Sequence, residues 1–153
     1  MKRYYFDYAA ATSCDPRVVK AMDNCWQKNY ANPSSLYEEG RLALQTVESA
    51  REHIAKELSA LKDEIYFTSG GSESDNWAIF GVAKARKEEG KHIVISSIEH
   101  KAVRNAATYL KTQGYQIDQC IVNEDGLLNL YELERLIGVD TVLVSVIMAN
   151  NEI

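Results

Sequence analysis

From residue 64 to residue 149 the chain alternates short apolar runs with amphipathic stretches, and this rhythm constrains the fold more than any other feature. "EIYFTS" (64–69), "HIVISS" (92–97), "YQIDQCIV" (115–122) and "TVLVSVIMA" (141–149) read as strands. "SESDNWAIFGVAKARKEEG", "EHKAVRNAATYLKTQG" and "LNLYELERLIG" read as the helices between them. Gly90 and Gly114 stop the first two helices, and "NEDG" makes the turn before the third. Apolar strands joined by helical crossovers of roughly 10–20 residues imply parallel pairing, because a hairpin cannot join them. The expected fold class is therefore α/β, three-layer, with a mostly parallel sheet and helices on both faces.

Upstream, "RYYFDY" (3–8) reads as a short strand or an anchored arm. Asp15 is a good N-cap and Pro16 a good first helical residue, so a helix starts at "DPRVVKAMDNCWQ". "NYANPSS" (29–35) is a loop, and a long amphipathic helix runs from about Leu36 to Leu61. The expected division is an arm over 1–14 and one domain over 15–153, with no repeat and no low-complexity linker. The chain ends at "MANNEI", at the carboxyl end of a strand, where a further helix is expected to cover the sheet. This reads as part of a longer protein, or as a chain that another completes.

Composition narrows the partners. The 153 residues are 46% hydrophobic, enough for a core, and carry a net charge of −5 with the signs interspersed. That balance argues against nucleic acid or an anionic membrane as partner. No apolar run approaches the length of a spanning helix. Asp7 interrupts the only early apolar stretch, so no signal peptide is expected. Cys14, Cys25 and Cys120 form no CxxC pair, which suggests neither zinc nor a disulfide framework and fits a cytoplasmic location.

Three motifs fall at strand ends. In "TSGGSES" (68–74), Gly70 and Gly71 let backbone approach a ligand, and Ser72, Glu73 and Ser74 open a helix. Free N–H groups and the positive helix end meet there, which suits an anion. Gly71 and Ser72 would supply N–H donors and Ser72 a hydroxyl. The alternative is a tight turn with Ser72 as N-cap, which propensity alone favours. Glu73 opposes an anion unless its side chain turns away. His100 follows the second strand in "SIEHKAV"; it is an acid/base, a ring that stacks on a cofactor, or a surface or cap histidine. His53 and His92 read as structural, and Lys101 as solvated. Asn150 and Asn151 end the fourth strand, as amides for a polar substituent or as turn residues. All three motifs lie at the carboxyl edge of one sheet. Together they describe a pocket for an anionic group, a flat ring and a polar substituent, as on a phosphorylated aromatic cofactor.

The blocks "YFDYAA", "DPRVVKAM", "NPSSLYEEGR", "EIYFTSGGSESDNWAI", "GKHIVISSIEHKAV", "DG", "DTVLVSV" and "NNEI" occur in the order seen in cysteine desulfurases of the NifS/IscS type. These are class V aminotransferase-group, fold type I enzymes that use pyridoxal 5′-phosphate. The resemblance covers essentially the whole chain, and by analogy it represents the first two-fifths of such an enzyme, a partial pyridoxal-phosphate-binding large domain. It implies cofactor-binding roles for Gly71 and Ser72 (phosphate), His100 (ring stacking, with a catalytic role in proton transfer) and Asn151 (the 3′-oxygen). Departures are Gly71-Ser72 where Ala-Thr or Gly-Thr is usual, Tyr37 where a histidine is common, and Ser13-Cys14 in place of a proline and an apolar residue. Cys14 does not correspond to the family's catalytic cysteine. In relatives that cysteine, the Schiff-base lysine, the aspartate at the pyridine nitrogen and the substrate-binding arginine lie beyond the position of Ile153.

The resemblance implies conversion of L-cysteine to L-alanine with sulfur left as an enzyme persulfide, a sulfur-acceptor protein as partner, a role in iron-sulfur cluster assembly, and a homodimer. The 153-residue chain alone is expected to be inactive. A rival reading makes it a non-catalytic partner subunit or pseudoenzyme fragment. A third, a plain α/β phosphate or nucleotide binder, ranks below both because neither GxxxxGK[ST] nor GxGxxG is present.

Overall fold

The computed structural model describes residues 3–153. They form two compact units, one ending at Phe67 and the other Thr68–Ile153. The first unit holds helix α1 (Pro16–Lys28), helix α2 (Glu38–Glu57) and a 3-10 turn at Lys62–Glu64. The second holds α3 (Gly71–Ala85), β1 (His92–Ser96), α4 (Lys101–Thr112), β2 (Gln116–Cys120), α5 (Leu130–Leu136) and β3 (Thr141–Ser145).

In the first unit the predicted helix start holds. Asp15 caps α1, its carboxylate accepting from the Arg17 N–H at 2.7 Å, with Pro16 in the first turn. The aromatic stretch forms no strand: Tyr4 and Phe6 stack at 6.2 Å, and Tyr5 meets Tyr8 edge-on at 5.3 Å. Asn29 Nδ2 donates to Thr46 Oγ1 at 2.9 Å and ties the end of α1 to α2. The predicted strand at 64–69 is absent. After the 3-10 turn the backbone is extended at Ile65 (φ −100, ψ 122), but no ladder forms to it among the described residues. Arg51 of α2 holds this run instead: its guanidinium donates to the Ile65 carbonyl and lies 5.0 Å from the centre of the Phe67 ring. Strand propensity needs a neighbouring strand to become a strand.

The second unit is a three-stranded parallel sheet in the order β2-β1-β3, flanked by helices. Central β1 is buried along its whole length, as expected for a parallel strand covered on both faces. Ile93 and Ile95 point to one side and pack with Ile79 and Ala83 of α3 and Val103, Ala106, Ala107 and Leu110 of α4. Burial of each of these isoleucines contributes about 1.5–3 kcal/mol. The Tyr115 hydroxyl donates to the Ala83 carbonyl at 2.7 Å, satisfying a buried polar atom while linking the end of α3 to the start of β2. Gly90 lies where a side chain would collide with the Asp140 carbonyl, so the entries to β1 and β3 approach through a glycine. Both outer strands stop earlier than their sequence runs suggest: β2 ends at Cys120 and β3 at Ser145. Among the described residues no helix is long and apolar enough to cross a membrane.

His92 is structural, as the sequence indicates. It is 3% exposed. Its Nδ1 faces Thr141 Oγ1 of β3 at 2.8 Å and its Nε2 faces Asp118 Oδ2 of β2 at 3.1 Å. The Gly138 N–H donates to Thr141 Oγ1 at 2.8 Å, and Gln116 Nε2 to Asp118 Oδ2 at 2.8 Å. A neutral imidazole with its proton on Nε2 satisfies every member of this chain.

Candidate functional site

The loop 67–76 belongs to a helix start, but Ser72 is not its cap. Gly70 is the N-cap of α3, with Gly71 and Ser72 its first two residues. The Glu73 and Ser74 N–H groups both donate to the Gly70 carbonyl, at 3.1 and 3.2 Å. The Gly71 and Ser72 N–H groups lie ahead of any helical carbonyl and stay available. Among the described residues the Ser72 hydroxyl makes no recorded hydrogen bond, whereas Ser74 and Thr68 hydroxyls pair at 2.6 Å. Three donors at one helix start therefore have no acceptor within the described residues.

Neither glycine is explained by the chain itself. Gly70 is extended (φ 165, ψ 175), a conformation any residue adopts, and Gly71 is helical. A Cβ on either would meet nothing within 4 Å. The space beside them is what a close-approaching group would fill. Glu73, the residue that opposes an anion, folds back: its carboxylate accepts from the Ser69 N–H at 2.7 Å and the Ser69 hydroxyl at 2.6 Å. Those hydrogen bonds, the hydroxyl's first, hold its carboxyl below the ordinary value of 4.5. It occupies the donors of Ser69 and leaves those of Gly71 and Ser72, although its charge remains in the first turn.

His100 is the N-cap of α4. Its Nδ1 accepts from the Ala102 N–H at 3.1 Å, which fixes the ring and puts the proton of the neutral tautomer on Nε2. The cap reading of His100 thus holds, and the exposed ring keeps its outer face and Nε2 for another partner. The two asparagines separate. Asn150 is a structural tie: its Nδ2 donates to the Ile98 carbonyl at 2.9 Å and its Oδ1 accepts from the Glu152 N–H at 2.7 Å. Asn151 is exposed on the bend that follows.

Topology brings these residues to one edge. β1 leads through a turn into His100, and β3 leads towards Asn151. α3 passes its C-terminus to the start of β1, so its N-terminus, with Gly71 and Ser72, returns to the carboxyl edge where parallel α/β sheets bind ligands. No single depression is lined by all four. A groove along α3 is lined by Ser72, Asn76, Trp77 and Phe80, and another by Ile98, Gly126, Met148 and Asn150. The sequence missed Glu99, a buried carboxylate beside His100; a Glu after a strand reads as solvated, and only its apolar neighbour Ile98 hinted otherwise.

A parallel α/β unit with helix-start N–H donors, an oriented imidazole and an amide on segments that lead from its carboxyl edge offers groups that suit a phosphorylated ligand. Comparison with known proteins makes this specific. The aminotransferase class-V family model matches residues 4–153, and the chain belongs to that family. It is 43% identical over 152 residues to cysteine desulfurase IscS of Clostridium botulinum, covering 99% of this chain and 38% of that protein. A solved NifS-like protein superposes with a TM-score of 0.94 at 40% identity, over 99% of this chain and 42% of that one. SspA, solved in complex with cysteine, superposes with a TM-score of 0.91 at 40% identity, over 97% and 43%. The chain thus spans about two-fifths of the length of the curated relatives it matches, and the fold type I architecture expected from its sequence agrees with these neighbours.

Proposed function

We propose that this chain supplies the phosphate- and ring-binding part of a pyridoxal-5′-phosphate site in a cysteine desulfurase. The observation that carries the reading is the opening of α3, where open space beside Gly70 and Gly71 adjoins the donors of Gly71 and Ser72. These residues fit a phosphate: two backbone N–H groups, a hydroxyl and the positive helix end. His100 fits the ring, because its cap bond prevents rotation and leaves a face for stacking. Asn151 fits the 3′-oxygen, its neighbour Asn150 fixing the backbone before it.

When bound, the cofactor supplies the electron sink for breaking bonds at the amino-acid α-carbon. This chain's residues would orient it. Gly71 and Ser72 would hold the phosphate, His100 would stack on the ring and present Nε2 for proton handling, and Asn151 would donate to the 3′-oxygen. The proposed substrate is L-cysteine, supported by identity to desulfurases and by likeness to a protein solved with cysteine. The reading places the tethering lysine and the sulfur-accepting cysteine outside the stretch matched here, with a sulfur-acceptor protein as partner, a homodimer as assembly and the cytoplasm as location.

The test is to incubate the 153-residue chain with pyridoxal 5′-phosphate and L-cysteine. Cofactor binding without sulfide or alanine release is expected. Sulfide release by this chain alone would contradict the assignment of the missing groups, and an absence of cofactor binding would contradict the assignment of the cradle. One observation favours the partner-subunit reading: Val144, Val146 and Met148, on and after β3, are exposed along the sheet's outer strand. A second chain that restores activity when mixed with this one would support that reading.

A further inference from the structure

Glu99 is 5% exposed, and no cation pairs with it among the described residues. Its Oε1 accepts from Ser96 Oγ at 3.2 Å and from Ser145 Oγ at 3.3 Å. Ser96 ends β1 and Ser145 ends β3, so one oxygen joins the carboxyl ends of two adjacent strands. The Glu99 N–H also returns to the Ser96 carbonyl at 3.4 Å, closing the turn that leads into His100. A second tie lies beside it, from Asn150 Nδ2 to the Ile98 carbonyl at 2.9 Å. Residues 98 and 99 are thus fastened to residues 150 and 145.

Stability alone does not account for this arrangement. Each hydrogen bond of this kind contributes only about 0.5–1.5 kcal/mol net, and replacing both partners by apolar groups of the same shape is often nearly neutral. What it adds is geometric: the two ties stop the turn carrying His100 and the segment carrying Asn151 from sliding past one another. Displacement of about 1 Å at a reacting centre is costly, and sites hold geometry through groups that do not touch the ligand.

We propose that Glu99 is a positioning residue that, with Asn150, fixes His100 and Asn151 relative to each other as the ring-binding end of the site. The proposal rests on the cofactor reading above. Glu99 itself touches neither phosphate nor ring; it acts through Ser96, Ser145 and the turn.

The test uses the ¹⁵N-labelled 153-residue chain with two probes, inorganic phosphate and pyridoxine 5′-phosphate, which has no aldehyde to react with lysines. Its readouts are the ratio of the two affinities and the imidazole ¹⁵N resonances of His100. Glu99→Gln keeps an acceptor oxygen and is expected to retain both the ratio and the His100 spectrum. Glu99→Leu is expected to lower the preference for pyridoxine 5′-phosphate about three- to tenfold, the worth of a lost aromatic stack, with phosphate affinity unchanged. Its His100 resonances should broaden or double. A folded Leu variant with parental ratio and spectrum overturns the proposal, as does a Gln variant that fails as badly as Leu. If the Leu variant does not fold, Ser145→Ala removes only the cross-strand arm; a shifted His100 spectrum there supports the clamp and an unmoved one overturns it. If the parent chain binds neither probe, the cofactor reading fails, while the His100 spectra still decide the clamp.

Discussion

Gly71 shows how little of the cradle is required by the fold. With no atom within 4 Å of a Cβ there, Gly71→Ala should leave the melting temperature unchanged or slightly raised, since alanine is the better helix former. The variant keeps the Gly71 N–H, and alanine is a usual residue there in the desulfurases this stretch resembles, so pyridoxine 5′-phosphate affinity should change by less than about threefold. Ser72→Ala should cost about tenfold by removing one hydrogen bond to a charged group. Calorimetry and ligand titration on the two variants separate stability from binding. Glu73 makes a second prediction. Its carboxyl is held below 4.5 by Ser69 in the folded chain and released on unfolding, so the unfolded state binds its proton more readily. The stability it adds is complete above pH 4.5 and is lost as pH falls through the lowered value. Urea unfolding across that window should give a shallower pH dependence in Glu73→Gln than in the parent. Both predictions draw on different degrees of legibility. A glycine pair at a helix start is legible in "TSGGSES", but propensity alone favours Ser72 as the N-cap where the structure has Gly70, because a serine and a glycine both make good N-caps and only backbone angles separate them.

At the scale of elements, what the sequence reveals divides by range. The start of α1 at Asp15-Pro16 and the end of α4 before Gly114, which has φ +85, are local signals and were readable. The extended run at 64–69 reads as a strand and is not one, since a short apolar run says nothing about whether a partner strand exists. His92 was readable as structural, but its partners lie 26 and 49 residues away in sequence and no local pattern announces them. That network makes the third prediction. His92→Leu fills most of the volume but takes one hydrogen bond each from Asp118 and Thr141, which keep the Gln116 amide and the Gly138 N–H, and should destabilise the chain by about 1–2 kcal/mol in urea denaturation. A loss under about 0.5 kcal/mol would show that the bridge contributes nothing net. Glu99 was invisible for the same reason as the His92 bridge: its cross-strand partner, Ser145, is 46 residues away.

For the molecule as a whole, the apolar surface left uncovered is the dominant fact. Among the described residues of the unit ending at Phe67 only Ala43 and Ala55 are buried hydrophobics, and α1 buries nothing although Val18, Val19, Met22 and Trp26 are near neighbours on its surface. In the second unit Tyr131, Val139, Met148 and Ile153 are all exposed. Patches of this kind bind other protein surfaces or aggregate. The chain alone should therefore bind a hydrophobic dye and show concentration-dependent mass by light scattering; a dye-silent monomer at all concentrations would mean the exposed residues have no such role. The central claim, that this chain carries the phosphate end of a pyridoxal-phosphate site, is tested most directly by following backbone amides while pyridoxine 5′-phosphate is added. The account predicts that the Gly71 and Ser72 N–H signals shift first and furthest, with His100 and Asn151 following. Saturating shifts elsewhere with Gly71 and Ser72 unmoved, or no shifts at all, would contradict it.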